Sequence, residues 1–385
     1  MERRKDNKGR VLKEGESQRK DGLYQYRWTD KFGKRHTIYA SDLKALRDKI
    51  ESITELEKKG INPVAASTTV MELVKRYLDI HKFSLRTTTL NRINTFLNIL
   101  EDEPFSVKPI STISASDAKL FIKELYEDGY AYGTIANYKS ILKPAFELAC
   151  EDNILPSNPF SFSLAKVVPK DQKEKNILSK EQYLKFIKFC KRDKFLMHHV
   201  DEIIILYETG LRVSEFCGLT FDDVDFENNT IKVDHQLMYV KGKNVILKPK
   251  TKSSIRTIPM SLKAKEAFAH LIDIRIPIDD EPVVDGYSGF FQISYNGNPR
   301  NGYNVGANIK TAFEKYNKEH PDDPIPFSIS PHTFRHTFCT RMIESGMNIK
   351  AVQYIMGHSR AEVTLNIYSH IDSERAIQEF RKMTK

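Results

Sequence analysis

A histidine and an arginine one helical turn apart, His332 and Arg335, are the residues of this 385-residue sequence best suited to chemistry. A guanidinium offers planar paired donors to a phosphate, and an imidazole one turn away exchanges a proton near neutral pH. The pair suits work on a phosphodiester. A second arginine, Arg212, starts a short helix with Glu215 one turn on. A helix N-terminus already favours an anion, and the carboxylate can hold or neighbour the guanidinium. Lysines at 241, 243, 248, 250 and 252 lie between the two arginines. Singly, each feature has a plainer reading: a capped, solvated helix start for H-x-x-R, and a surface pair worth a few tenths of a kcal/mol for Arg212 and Glu215. His332 and His336 also stand at a zinc-binding spacing. Thr333, however, occupies the place where a metalloprotease helix carries its glutamate, and no other Cys/His cluster at ligand spacing appears.

End signals divide the stretch from Ser330 to Tyr368 into three short helices. Ser330 is an N-cap with Pro331 at the first helical position, and Gly346 closes that helix. Asn348 caps the second, which Gly357 ends, and Ser359 with Glu362 makes a capping box for the third. In the first helix Phe334, Phe338 and Met342 form an apolar stripe that faces a core, with His332 and Arg335 on the neighbouring face. Upstream, the apolar run Ile203 to Tyr207 ends at Gly210. Strand-like segments follow at 230–234, 244–247 and 255–258, the last two joined by Pro249-Lys250-Thr251-Lys252-Ser253-Ser254 as a flexible basic hairpin.

His332-Thr333-Phe334-Arg335, then Gly357-His358, then Tyr368 ten residues later, resembles the second box of the tyrosine recombinase (phage integrase) family. Gly210-Leu211-Arg212-Val213-Ser214-Glu215-Phe216-Cys217-Gly218-Leu219 resembles its first box. The resemblance implies a DNA strand transferase in which the Tyr368 hydroxyl attacks a DNA phosphorus. Arg212 and Arg335 would stabilise charge on the nonbridging oxygens, and Lys250 would protonate the leaving 5′-oxygen, with Lys248 and Lys252 as alternatives. His332 would assist proton transfer at the tyrosine, His358 would donate to the phosphate, and Glu215 would support the arginines. A 3′-phosphotyrosyl bond stores the phosphodiester energy, so neither ATP nor a metal nor any other cofactor is expected. The family further implies a homotetramer pairing two duplexes through a Holliday junction.

Sixty basic against 51 acidic residues give a formal charge of +9, which favours a polyanionic partner, and no basic amphipathic helix points to a membrane. The N-terminus lacks the apolar run of a signal peptide, and no segment approaches a membrane span, so a cytoplasmic protein is expected; the family resemblance implies a bacterial one, nucleoid-associated when active. Cys150, Cys190, Cys217 and Cys339 are scattered and read as small core residues.

Residues 1–60 begin with a basic arm (Arg3, Arg4, Lys5, Lys8, Arg10) and continue as a small sheet: a strand near 15–20, then Leu23 to Trp28, a turn at 30–33, and Arg35 to Tyr39. Ser41 or Asp42 caps a helix behind it. Arg19, Lys20, Arg27, Lys34 and Arg35 on that sheet could lie in a major groove and neutralise phosphates. The arrangement looks like the arm-binding domain of conjugative-transposon integrases. After a linker at 60–67 come four helical patterns with Pro144 inside the last, which resemble the family's SAM-like core-binding domain; a lysine-rich hinge follows at 166–175. The expected fold is α+β and multidomain. A three-stranded sheet plus helix (1–60) precedes a helical bundle (67–165), then a mainly helical catalytic domain with a small antiparallel sheet (176–385).

The expected partners are double-stranded DNA at core and arm-type element ends, target DNA, further copies of the chain, and an excisionase. Three rival readings remain: a type IB topoisomerase acting without pairing two sites, a catalytically silent DNA-binding regulator, and a zinc hydrolase built on His332 and His336.

Overall fold

The computed structural model describes residues 4–29, 35–58, 67–85, 87–170, 176–249, 252–275, 280–360, 362 and 364–365. The chain divides into two compact units, Met1–Gln172 and Lys173–Lys385. Among the described residues no helix is long and apolar enough to cross a membrane.

The first unit opens with β1 (Glu16–Gln18), β2 (Tyr24–Thr29) and β3 (Arg35–Ala40), an antiparallel sheet in that order, followed by α1 (Leu43–Lys58). Asp42, not Ser41, caps α1: its Oδ1 accepts from the amides of Lys44 and Ala45 at 2.9 and 3.0 Å. Strand alternation buries Tyr24 against Leu12, Ala40, Leu43 and Leu46, with Tyr26 and Ile38 packed alongside. The expected basic arm is folded back as a turn over residues 4–12. The buried Asp6 carboxylate accepts from the Tyr24 hydroxyl at 2.9 Å and from Nε and the amide of Arg10 at 2.7 Å each, so Arg10 is committed to the fold.

In the same unit α2 (Val70–His81), α3 (Thr87–Glu101), α4 (Ala115–Glu127) and α5 (Tyr132–Glu151) surround a second core that includes Phe96, Phe121, Phe146 and Phe160. Reciprocal capping boxes start two of them, Thr69 with Glu72 and Ser114 with Asp117. α5 continues through Pro144. Leu164 and Val168 are buried in this core, which ties the first residues of the lysine-rich segment to the bundle.

The second unit contains α6 (Lys180–Arg192), α7 (Val200–Thr209), α8 (Val213–Gly218), β4 (Val224–Asp225), β5 (Thr230–Val233), β6 (Gln236–Val240), β7 (Lys243–Leu247), β8 (Arg256–Pro259), α9 (Leu262–Asp273), α10 (Gly302–Glu319), α11 (Pro331–Glu344) and α12 (Ile349–Met356). Its core runs through Phe186, Phe216, Phe268, Phe290 and Phe334, and Cys190, Cys217 and Cys339 are buried in it. Two small antiparallel sheets form, β4-β5-β8 and β6-β7.

This pairing corrects the expected hairpin. β7 pairs with β6 and β8 with β5, so the strands flanking the basic segment are not each other's partners. The tight turn is Lys241-Gly242, where both residues have positive φ (+49° and +82°), the geometry that closes a short hairpin on β6.

Candidate active site

The first box is positioned by a helix end. α7 stops at Gly210 with φ of +64°, and a Cβ there would lie 2.4 Å from Cδ1 of Phe338, so glycine serves both the left-handed turn and the close approach of α11. Two residues on, Arg212 caps α8. The Glu215 carboxylate reaches back, accepting the Arg212 amide at Oε2 (2.9 Å) and Nη1 at Oε1 (2.7 Å).

The second box meets it from α11, which Ser330 caps and Pro331 opens as the sequence indicates. Packing of Phe334 into the core turns Arg335 inward, where only 4% of it is exposed. Its Nη1 donates to the Gly210 carbonyl at 2.7 Å and its Nη2 to the carbonyl of Met356. Arg212 Nη2 donates to the next carbonyl, that of Gly357, at 3.2 Å.

A third arginine completes the set and was not anticipated. Arg256 at the start of β8 donates from Nε to the Ile355 carbonyl at 2.6 Å and meets Glu215 at two points, Nη1 to Oε1 at 3.1 Å and Nη2 to Oε2 at 3.0 Å. Three successive carbonyls at the end of α12 thus each take a different arginine. A helix C-terminus presents unpaired carbonyls and the negative end of its dipole, so it is a natural template for cations. The signal for Arg256 lay in strand alternation: Arg256 and Ile258 are buried while Thr257 and Pro259 are exposed.

The electrostatics follow from this crowding. Burial alone would raise the pKa of Glu215, but the Arg256 hydrogen bonds and the charges of Arg256, Arg212 and Arg335 hold it at about 2. Desolvation and the neighbouring Arg212 work against the charge on Arg335, with Glu215 opposing them. Glu215 pairs with Arg212 and Arg256 and only feels the charge of Arg335, and Arg212 keeps 31% of its side chain exposed, which leaves an unbalanced positive charge facing solvent. His358 is buried beside them, its Nδ1 2.9 Å from Oγ1 of Thr364; burial, then Arg335, Arg212 and Arg256, push its pKa down to about 3. His332 is exposed at the first turn of α11, and desolvation followed by Arg335 and Arg212 lowers its pKa too.

The structure therefore brings together Arg212, Glu215, Arg335 and His358, with His332 within their field. Lys248 is exposed beyond β7, outside the hydrogen-bonded cluster. Lys250, Tyr368 and the side chain of Lys252 lie outside the described residues. In the first unit Arg19, Lys20, Arg27 and Arg35 are exposed, and Lys34 lies outside the described residues. The register sets Arg27 opposite Thr37 and Arg35 opposite Thr29, so both arginines occupy the face away from Tyr24 and Tyr26. Arg19 joins that face by stacking over Tyr39 at 5.5 Å.

Among the described residues, Asp223, Asp234 and His235 place potential metal donors close together. Those donors are already used. Asp223 accepts from the amide and hydroxyl of Thr220, and the His235 ring bridges Asp234 and the Gly218 carbonyl at 2.7 Å each, strapping the end of α8 to the start of β6. His332 and His336 lie with ring centroids 6.4 Å apart.

Residues 176–375 match the phage integrase family, and residues 1–58 match the DNA binding domain of Tn916 integrase. The chain is 40% identical to the transposase from transposon Tn1545 of Streptococcus agalactiae, over 100% of this chain and 97% of the relative. It is 39% identical to the transposase from transposon Tn916 of Enterococcus faecalis, with the same coverage. A structure of the Tn1549 transposon integrase in complex with a circular intermediate DNA superposes with a TM-score of 0.77 at 38% identity, covering 82% of this chain and 100% of that one. With Arg212 and Glu215 of the first box meeting Arg335 and His358 of the second, and this likeness running the length of the chain, the protein belongs to the phage integrase family, as a tyrosine site-specific recombinase of the Tn916-like, conjugative-transposon kind.

Proposed function

We propose that the protein integrates and excises a mobile element by cutting and rejoining DNA through a 3′-phosphotyrosyl intermediate. The observation that carries this reading is the convergence of Arg212, Arg335 and His358 on the end of α12, beside a carboxylate that Arg256 neutralises. Such a cluster binds the two nonbridging oxygens of a scissile phosphate and stabilises the charge that builds on them. The Tyr368 Oη attacks phosphorus, the P–O5′ bond breaks, and Lys250 supplies the proton to the departing 5′-oxygen, with Lys248 and Lys252 as the other lysines of that segment. His332, uncharged above its lowered pKa, takes the tyrosine proton. In the tautomer with its proton on Nε2, where Nδ1 accepts from the Thr364 hydroxyl paired with it, neutral His358 donates a hydrogen bond to the phosphate. Rejoining reverses these transfers with a 5′-hydroxyl from the other duplex.

Four copies on two duplexes, exchanging strands in pairs through a Holliday junction, complete the reaction, and it takes place in the cytoplasm on the nucleoid. The chain works as three domains: 1–60 on arm-type sites, 67–165 on core sites, and 176–385 for chemistry. Arg19, Arg27 and Arg35 make the arm contacts, with Lys20 and Lys34 beside them. The Tn1549 integrase bound to circular intermediate DNA supports element ends as the substrate, and an excisionase is the expected accessory protein.

The test is a suicide duplex from an element end, nicked near the cleavage point so that the released fragment diffuses away, incubated in EDTA. A covalent adduct with wild type and none with Tyr368→Phe is the expected result. Binding by both proteins without any adduct would replace this reading with a DNA-binding regulator.

A further inference from the structure

Arg256 has no exposed side-chain surface, so it cannot touch DNA, yet its guanidinium makes four hydrogen bonds to groups that belong to three parts of the site. Besides Glu215 and the Ile355 carbonyl, Nη1 donates to the carbonyl of Ser254 at 3.1 Å, where the chain leaves the basic segment. A planar fork with five N–H groups can make all these bonds at once, which no other side chain can. We propose that Arg256 is a positioning residue for strand cleavage, acting through Glu215 and the end of α12 to set the separation of Arg212 and Arg335. The inference rests on the catalytic reading above.

Its physical basis is competition for one carboxylate. Glu215 is 3% exposed and already accepts two bonds from Arg212. Remove Arg256 and the buried carboxylate keeps Arg212 as its one hydrogen-bonded cation, which draws that guanidinium inward and away from a phosphate. The Ile355 carbonyl loses its donor in the same step, and the two carbonyls after it hold Arg335 and Arg212. The defect belongs to the charged transition state and spares DNA binding, which many other contacts supply.

The experiment compares single-turnover adduct formation by the full chain on two suicide duplexes, one with the ordinary scissile phosphodiester and one with a neutral methylphosphonate there. Arg256→Met and Arg256→Lys are assayed beside wild type. On the phosphodiester, Arg256→Met is expected to be slower by about 100-fold, the scale of a misplaced oxyanion donor, and Arg256→Lys to fall between it and wild type. On the methylphosphonate, whose ground and transition states each carry one negative charge fewer for the arginines to hold, the gap narrows to a few-fold. Equal defects on both duplexes, or no defect on either, overturn the proposal. Arg256→Lys keeps a charge beside Glu215 and carries the test should Arg256→Met not fold. Absence of an adduct from wild type on the phosphodiester removes the catalytic reading itself, a result separate from any pattern among the variants.

Discussion

A Cβ on Gly357 would stand 3.0 Å from Nη1 of Arg256 and 3.1 Å from its Cζ, so the glycine that ends α12 also makes room for the arginine that holds Glu215. Gly357 sits at φ of +61°, where a side chain costs about 1–2 kcal/mol of backbone strain. Gly346 at the end of α11 has φ of +85° but open space around it. Gly357→Ala and Gly346→Ala should therefore share the backbone cost in a urea titration, while only Gly357→Ala slows adduct formation. Equal cleavage by the two variants would show that contact with Arg256 does not matter.

The Glu215 carboxyl gives stability a defined acid limit. Its folded pKa of about 2 lies below the ordinary 4.5, so its contribution is complete above about pH 4.5 and is lost as the pH falls toward 2. At neutral pH Glu215→Gln leaves Arg256 and Arg212 without their paired counter-charge and should cost about 3 kcal/mol. Denaturation curves measured from neutral to acid should show the gap between wild type and Glu215→Gln closing below pH 4.5. A gap independent of pH would contradict the ion pairing seen here.

His358 should be silent in the pH profile of cleavage. With a pKa near 3 it stays neutral from about pH 5 to 9, so His358→Gln is expected to lower the single-turnover rate about 10-fold with a profile parallel to wild type. His332 also has a lowered pKa, so any inflection it contributes lies below 6.5, and His332→Gln should remove it. Divergence of the His358→Gln profile above pH 5 would show that this ring titrates in the working range.

The outer face of the N-terminal sheet makes a separate prediction. If Arg27 and Arg35 each hold one phosphate, as proposed, Arg27→Ala and Arg35→Ala should each weaken binding to an arm-type duplex and reduce the slope of log K against log salt by about 1. Adduct formation on a core-site duplex without arm sequences should not change. Unaltered salt slopes in fluorescence anisotropy would assign that face to solvent.

Much of the second box was legible because its determinants are local. Ser330, Asn348 and Gly357 end or begin helices through bonds to residues within a turn, and those caps appear where the sequence places them. The alternation of Tyr24, Tyr26 and Trp28 likewise marks β2 from side-chain type alone. The basic segment after β7 was misread as a hairpin because strand pairing is not local: β8 finds β5 across more than twenty residues, and β6, with its turn at Lys241-Gly242, captures β7. Arg256 was missed for the same reason. Alternation with Ile258 marks it only as inward-facing; its partners, Glu215, 41 residues away in sequence, and Ile355, 99 residues away, arrive beside it through the fold. Sequence alone determined which residues could do the chemistry and where helices stop. Tertiary packing decided that three arginines meet at one helix end and that two of them hold one carboxylate, because a buried carboxylate is stable only where the folded chain delivers its counter-charges.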